Sequence, residues 1–283
     1  WQTFITDLVE EGEIKQGIAL NSMQFNLSRV FGPAIGGLSI GVFGLAGSYY
    51  LNGLSFIAVI IPLLLIHPRL RVRKREAQSL WSNIVTGVFY IRRRPILQVA
   101  LGLQLMSAFF VMPYLTLLPI FAGNIYHTGA SGLGTMNAVA GAGALAGTVL
   151  VLFLTGRLRL PVRALFLLCL IGGLASILFS QMPNQTFTLP LLIILGASTV
   201  MANIFTNTTI QSSTPEEIRG RVVSIWVAIT FGFAPFGNLV AGSVAQASGA
   251  PFTLALGGSV CIVVATTIAF LTRKVARPVL AAV

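Results

Sequence analysis

The chain has 283 residues, 55% apolar and only 9% charged, with a net charge of +11. A soluble domain carries about 25% charged residues, so this composition excludes an ordinary water-soluble globule and points to a chain solvated mainly by lipid. The two cysteines, Cys169 and Cys261, sit in apolar runs and make no disulfide framework, metal-ligand spacing or redox motif.

Residues 1–16 are acidic, with Asp7, Glu10, Glu11 and Glu13 against Lys15. Capped by Thr6 or Asp7, they can form a short helix lying at the membrane interface; a disordered end fits them equally. From residue 16 to residue 68 the only charge is Arg29, and stretches 95–156, 164–215 and 222–272 carry none. A spanning helix needs about 20 apolar residues, so each stretch holds two spans and a short turn. The turns lie at Gly44–Ser48, Asn124–Gly132, Ser180–Thr186 and Gln246–Pro251, all uncharged and rich in Gly, Pro, Asn or Ser. This predicts an all-α membrane protein with eight transmembrane helices, at 17–43, 49–66, 96–122, 132–155, 163–180, 189–212, 221–245 and 252–272. A barrel is excluded because the alternating apolar–polar pattern that lines a lumen is missing.

The stretch His67–Arg94 holds Arg69, Arg71, Arg73, Lys74, Arg75, Arg92, Arg93 and Arg94, eight of the eighteen basic residues, and one acid, Glu76. Lys and Arg beside helix ends stay cytoplasmic, so 67–94 reads as a basic cytoplasmic loop, and both ends of the chain read as cytoplasmic too. It divides the sequence into 1–66, a lead-in with two helices; 67–94; and 95–283, a six-helix unit. The positive charge reports orientation, with no nucleic-acid partner implied.

A shift of 202 residues lays Phe31-Gly32-Pro33-Ala34 on Phe233-Ala234-Pro235-Phe236, Ser22 on Ser224 and Gly47 on Gly249. The second copy opens with Thr214 as helix cap, Pro215 at the first position, then Glu216 and Glu217. Six helices per repeat is the arithmetic of a transporter built from two parallel halves. On that count four helices would precede Trp1.

Ser28-Arg29-Val30-Phe31-Gly32-Pro33-Ala34-Ile35-Gly36-Gly37 resembles the antiporter motif of the major facilitator superfamily. Asn21-Ser22 through Asn26, Met112-Pro-Tyr-Leu-Thr-Leu-Leu-Pro119 and Thr214-Pro-Glu-Glu-Ile-Arg-Gly-Arg221 resemble its enterobactin-exporter-like branch, also labelled a transmembrane secretion effector family. The resemblance implies helices 5–12 of a twelve-helix fold. In the motif Pro33 removes a backbone hydrogen bond, and Gly32, Gly36 and Gly37 allow close helix approach. Ordinary tight helix packing with no role in coupling is the alternative reading. The family's geometry sets Gly36 or Gly37 beside the glycine-rich segment Gly141–Gly147. The family's acidic loop signature is degraded here, because Gly156-Arg-Leu-Arg-Leu-Pro161 lacks an Asp.

Arg29 is the one charge in mid-span; an intramembrane charge needs a partner or a wet cavity. It reads as an anchor for an anionic substrate or a coupling carboxylate, or else as a structural arginine near a broken helix. Asn203 and Asn207, with Gln211, make a polar stripe at helical spacing, on the helix that in the family lines the central cavity. Gln104 lies near Phe109, Phe110 and Tyr114, a mixture suited to amphipathic organic molecules. Interhelical hydrogen bonding is the alternative reading for each amide. No Asp or Glu falls in any predicted span, so proton coupling would need a carboxylate on helices outside this chain.

The reading that results is a secondary transporter in a bacterial inner membrane. It exports drug-like or siderophore-type molecules by alternating access with proton coupling, and has no cofactor or metal. No nucleophile–base pair or two-carboxylate constellation suggests an enzyme. A non-transporting sensor or scaffold, or the membrane subunit of a nucleotide-driven exporter, are the alternatives.

Overall fold

The computed structural model describes residues 24, 28, 35, 36, 39, 42–44, 46–65, 80–154 and 161–281. The described residues are helical, with no strand among them. In chain order the helices are α1 (Ile57–Leu65), α2 (Leu80–Arg92), α3 (Pro95–Met106), α4 (Tyr114–Ile120), α5 (Gly129–Leu154), α6 (Pro161–Ser180), α7 (Gln185–Ser213), α8 (Glu216–Val227), α9 (Ala234–Ser248) and α10 (Ala250–Ala281). Of three π-type turns, Ser107–Val111 joins α3 to α4, Phe121–Ile125 ends the rod they form, and Ala228–Gly232 joins α8 to α9.

Seven helical stretches are long and apolar enough to span a bilayer: Ala46–Leu65, Pro95–Ile125, Gly129–Val151, Val162–Ser180, Gln185–Ser213, Glu217–Ser248 and Ala250–Leu271. The last seven predicted spans fall on these. The predicted span 17–43 and the lead-in 1–16 lie almost wholly outside the described residues. The span Ala46–Leu65 buries none of its residues, and Leu54, Ile60, Ile61 and Leu64 are exposed. Such a surface suits lipid contact or helix packing rather than water.

Two devices hold the helices together. One is small-residue packing. A Cβ on Gly147 would come within 2.8 Å of the Ala197 backbone, and one on Gly143 or Gly196 would collide with the Ile193 backbone or the Ala140 carbonyl. These glycines let α5 and α7 meet backbone to backbone. Gly173 and Gly258 do the same for α6 and α10. The other device is hydrogen bonding across helices. The Ser176 hydroxyl donates to the Leu254 carbonyl at 3.0 Å.

The uncharged-turn end is knitted by Tyr126, whose phenol bonds the Thr188 hydroxyl at 2.8 Å and donates to the Met182 carbonyl at 3.3 Å. Burial holds that phenol above its ordinary pKa, with the Thr188 bond working the other way. Asn184 caps α7 by accepting from the Phe187 N–H at 3.3 Å. The helix after Thr214 starts one residue later than its sequence suggests. Pro215 is the capping residue of α8, and Thr214 Oγ1 has no hydrogen-bond partner among the described residues. The Thr214 carbonyl instead accepts from the Arg219 guanidinium at 3.3 Å. The proline's extended ψ of 153° turns the preceding residue away from the helix axis, so its hydroxyl makes no cap bond.

Candidate functional site

Prolines shape the interior. Pro113 has no N–H to give, and its ring crowds the carbonyl four residues back. The helix before it relaxes into a π-type turn, with the Met112 N–H bonded to the Ser107 carbonyl at 2.9 Å. The third π-type turn, Ala228–Gly232, lies just before Pro235 in the same way. Such turns are frequent at functional sites. The widened backbone at Phe109 and Phe110 is received by two glycines. A Cβ on Gly237 would lie 2.8 Å from the Phe109 carbonyl oxygen, and one on Gly257 would lie 2.6 Å from that of Phe110.

One turn of helix before the first π-type turn lies Gln104, which is 4% exposed. Its Nε2 donates to the Thr230 hydroxyl at 3.5 Å, and its Oε1 accepts from the Thr206 hydroxyl at 3.3 Å. Thr206 and Thr230 are themselves buried. The amide therefore bridges three rods: α3, α7 and the π-type turn after α8. A substrate reaching Gln104 would have to displace one of these hydroxyls.

Asn207 is adjacent to Thr206 on α7 and is 3% exposed. Its Oδ1 accepts from the Gln211 side-chain amide one turn on, so the predicted polar stripe exists as a bonded pair. Asn203 is half-buried on the same face and has interactions of its own. Tyr114 lies elsewhere, 3% exposed in the apolar cluster with Leu117, Leu118 and Phe121. Phe109 and Phe110 are half-buried, with their rings edge to face at 5.0 Å. The structure thus brings Gln104 and the Asn207 region of α7 together. The threonines that link them, Thr206 and Thr230, carried no marker in the sequence. Buried threonine hydroxyls commonly bond the carbonyl a turn back, so a threonine's type alone does not reveal a cross-helix role.

Arg29, Gly32, Pro33 and Gly37 lie outside the described residues. Gly36 is described, and a Cβ built on it would meet nothing within 4 Å among the described residues. Gly143 and Gly147 are occupied by α7, so part of the glycine face predicted to receive the motif already serves packing within the six-helix unit.

The interior so assembled holds amide and hydroxyl groups, aromatic rings and proline-opened backbone, and no acid falls within any of the predicted spans. Its groups have the chemistry for hydrogen bonds and apolar contact with an amphipathic molecule.

The model of the transmembrane secretion effector family matches residues 1–279. The enterobactin exporter EntS of Shigella flexneri is 28% identical over 267 residues, covering 91% of this chain and 62% of its own length. The enterobactin exporter EntS of Escherichia coli strain UTI89 is 27% identical over 269 residues, again covering 91% of this chain and 62% of its own. The chain therefore spans less than two thirds of the length of these relatives. With the family match running through nearly all of it, the chain belongs to the transmembrane secretion effector family of the major facilitator superfamily.

Proposed function

We propose that the protein exports small organic molecules across a bacterial inner membrane by alternating access, driven by proton exchange. The observation that carries this is the family match along residues 1–279, supported by relatives named as enterobactin exporters. The substrate is an amphipathic molecule of drug-like or siderophore type. Asn203 and Asn207 supply amide contacts from α7, Phe109 and Phe110 supply apolar ones, and Arg29 draws an anionic group. Gln104 and Tyr114 shape the wall around them. The segment Gly32, Pro33, Gly36 and Gly37 is the bending element between the two halves, with proline breaking the helix and glycine letting a neighbour slide. The arginine-bearing connections face the cytoplasm. No acid lies in the predicted spans, so we place the proton-carrying carboxylate in the part of the relatives' length that this chain does not span. The function is transport rather than an enzymatic reaction.

The buried Gln104 bridge favours a second reading, in which these polar groups only tie helices together in a non-transporting scaffold. A flux assay separates the two. The full-length protein in proteoliposomes with an imposed pH gradient should show substrate-stimulated proton movement and accumulation of a catecholate chelate or a cationic dye. Normal insertion with no flux for either class leaves the scaffold reading.

A further inference from the structure

The stretch read from sequence as a charged loop contains α2, and α2 has two apolar faces. Gly87 and Ile91 form the inner stripe. A Cβ on Gly87 would touch Ile225 at 2.8 Å and Arg221 at 3.4 Å, and Ile91 packs in a cluster with Val222 and Trp226. The Tyr90 hydroxyl donates to the Ser213 carbonyl at 3.3 Å. The helix is thereby fixed along Arg221–Trp226 of α8, within the first third of the Glu217–Ser248 rod. The outer stripe is Ile84, Val85, Val88 and Phe89, which are 49%, 48%, 40% and 55% exposed. Spacing of one and four residues puts all four on one side.

That stripe ends in arginine. Arg92 and Arg93 follow Val88 and Phe89 by four residues, and Arg92, Arg93 and Arg94 are all exposed. The Arg93 guanidinium lies 4.2 Å over the Phe89 ring, and that of Arg94 lies 5.6 Å from the Tyr90 ring centre. No carboxylate among the described residues pairs with any of the three. An orientation signal alone needs arginines near a helix end, with no apolar stripe beside them. A helix with one face anchored to protein, an open apolar face and cations at its end has the chemistry of a membrane-surface element.

We propose that the outer face of α2 lies in the headgroup–acyl boundary and that Arg92, Arg93 and Arg94 bind anionic phospholipid headgroups there. Ile84, Val85, Val88 and Phe89 enter the upper acyl region. The arginine stems follow them, and the guanidinium groups rise to the phosphates, which they grip in bidentate fashion. Anionic lipid then holds α2 against α8, which packs beside the Gln104–Thr230 bridge.

The test uses the full-length protein with Val88→Cys carrying a fluorophore; the native Cys169 and Cys261 are buried. It is reconstituted in phosphatidylcholine vesicles doped with shallow-chain spin-labelled phosphatidylglycerol or spin-labelled phosphatidylcholine at equal density. Quenching by the phosphatidylglycerol probe should exceed that by the phosphatidylcholine probe on the order of fivefold, with little quenching by aqueous iodide. The preference should vanish when Arg92, Arg93 and Arg94 are all changed to Gln and persist when all are changed to Lys. Equal quenching by the two lipids overturns the headgroup assignment. Iodide quenching without lipid quenching overturns the insertion. A probe reached by neither shows a protein covering and overturns both. The lipid comparison uses native arginines, so a folding defect in the Gln variant cannot rescue the proposal.

Discussion

Replacing Gln104 with leucine removes both halves of the bridge between Thr206 and Thr230. The threonines can fall back on carbonyls of their own helices, so the loss is smaller than for a stranded charge. Interhelical hydrogen bonds within membranes contribute about 0.6 kcal/mol each, which gives a cost of roughly 1 kcal/mol for Gln104→Leu. A thermal-unfolding assay in detergent should register that as a lower midpoint. An unchanged midpoint would remove the structural role and return the amide wholly to substrate binding. The presence of Gln104 as a polar residue inside a span was plain in the sequence. Its partners were not, because Thr206 and Thr230 are 102 and 126 residues away and neither has a side chain that looks out of place in a helix. Tyr114 shows the opposite difficulty. Near Gln104, Phe109 and Phe110 in the sequence it suited contact with an amphipathic molecule, and nothing in the sequence told that its ring packs in the apolar cluster around Phe121.

At the level of elements, hydropathy and charge located the spans because lipid is an unforgiving solvent: about 20 apolar residues must run unbroken wherever the chain crosses. The π-type turns were harder to read. A proline announces a defect, but whether the helix kinks, ends or bulges depends on what packs beside it. Here Gly237 and Gly257 leave room for the Phe109 and Phe110 carbonyls. Helix α2 was obscured for another reason. Its flanks are so basic that the whole stretch 67–94 reads as loop, and Thr86, Gly87 and four further β-branched residues, Ile84, Val85, Val88 and Ile91, weaken its helix propensity. Its apolar residues nonetheless recur at helical spacing, and packing on α8 decides the outcome. The α5–α7 contact gives the sharpest prediction at this scale. A side chain at Gly196 would run into the Ala140 carbonyl, a rigid backbone atom that cannot turn aside. Gly196→Val should cost about 1–3 kcal/mol, the usual range for overpacking, and appear as loss of monodisperse protein on size-exclusion chromatography. Gly134→Ala, on the partner helix α5, meets nothing within 4 Å among the described residues and should leave the elution profile unchanged.

For the molecule as a whole, lipid decides which surfaces are tolerable and arginine decides which way they face. Seven spans in register with the charge map put the span ends that carry Arg92–Arg94, Arg163 and Glu216–Arg221 at one level, and the turns at Tyr126–Thr128, Gln181–Asn184 and Gly249 at the other. Successive spans must alternate in direction, so a probe at any arginine-bearing connection and a probe at any neutral turn must meet different compartments. His127 suits the second position because it sits in the tight turn between the second and third described spans with φ of 52°, and, unlike the half-buried Tyr126 beside it, it is exposed. Single-cysteine versions Arg75→Cys and His127→Cys of the full-length protein, in a background with Cys169 and Cys261 changed to Ala, should therefore label differently in intact cells. An impermeant maleimide should reach His127→Cys from outside and reach Arg75→Cys only after the inner membrane is opened. Labelling of both from one side would break the alternation of spans. Labelling of Arg75→Cys alone from outside would keep the alternation and reverse the orientation, so that the same helices would present the arginines to the exterior and the proposed export would lose its cytoplasmic entry face.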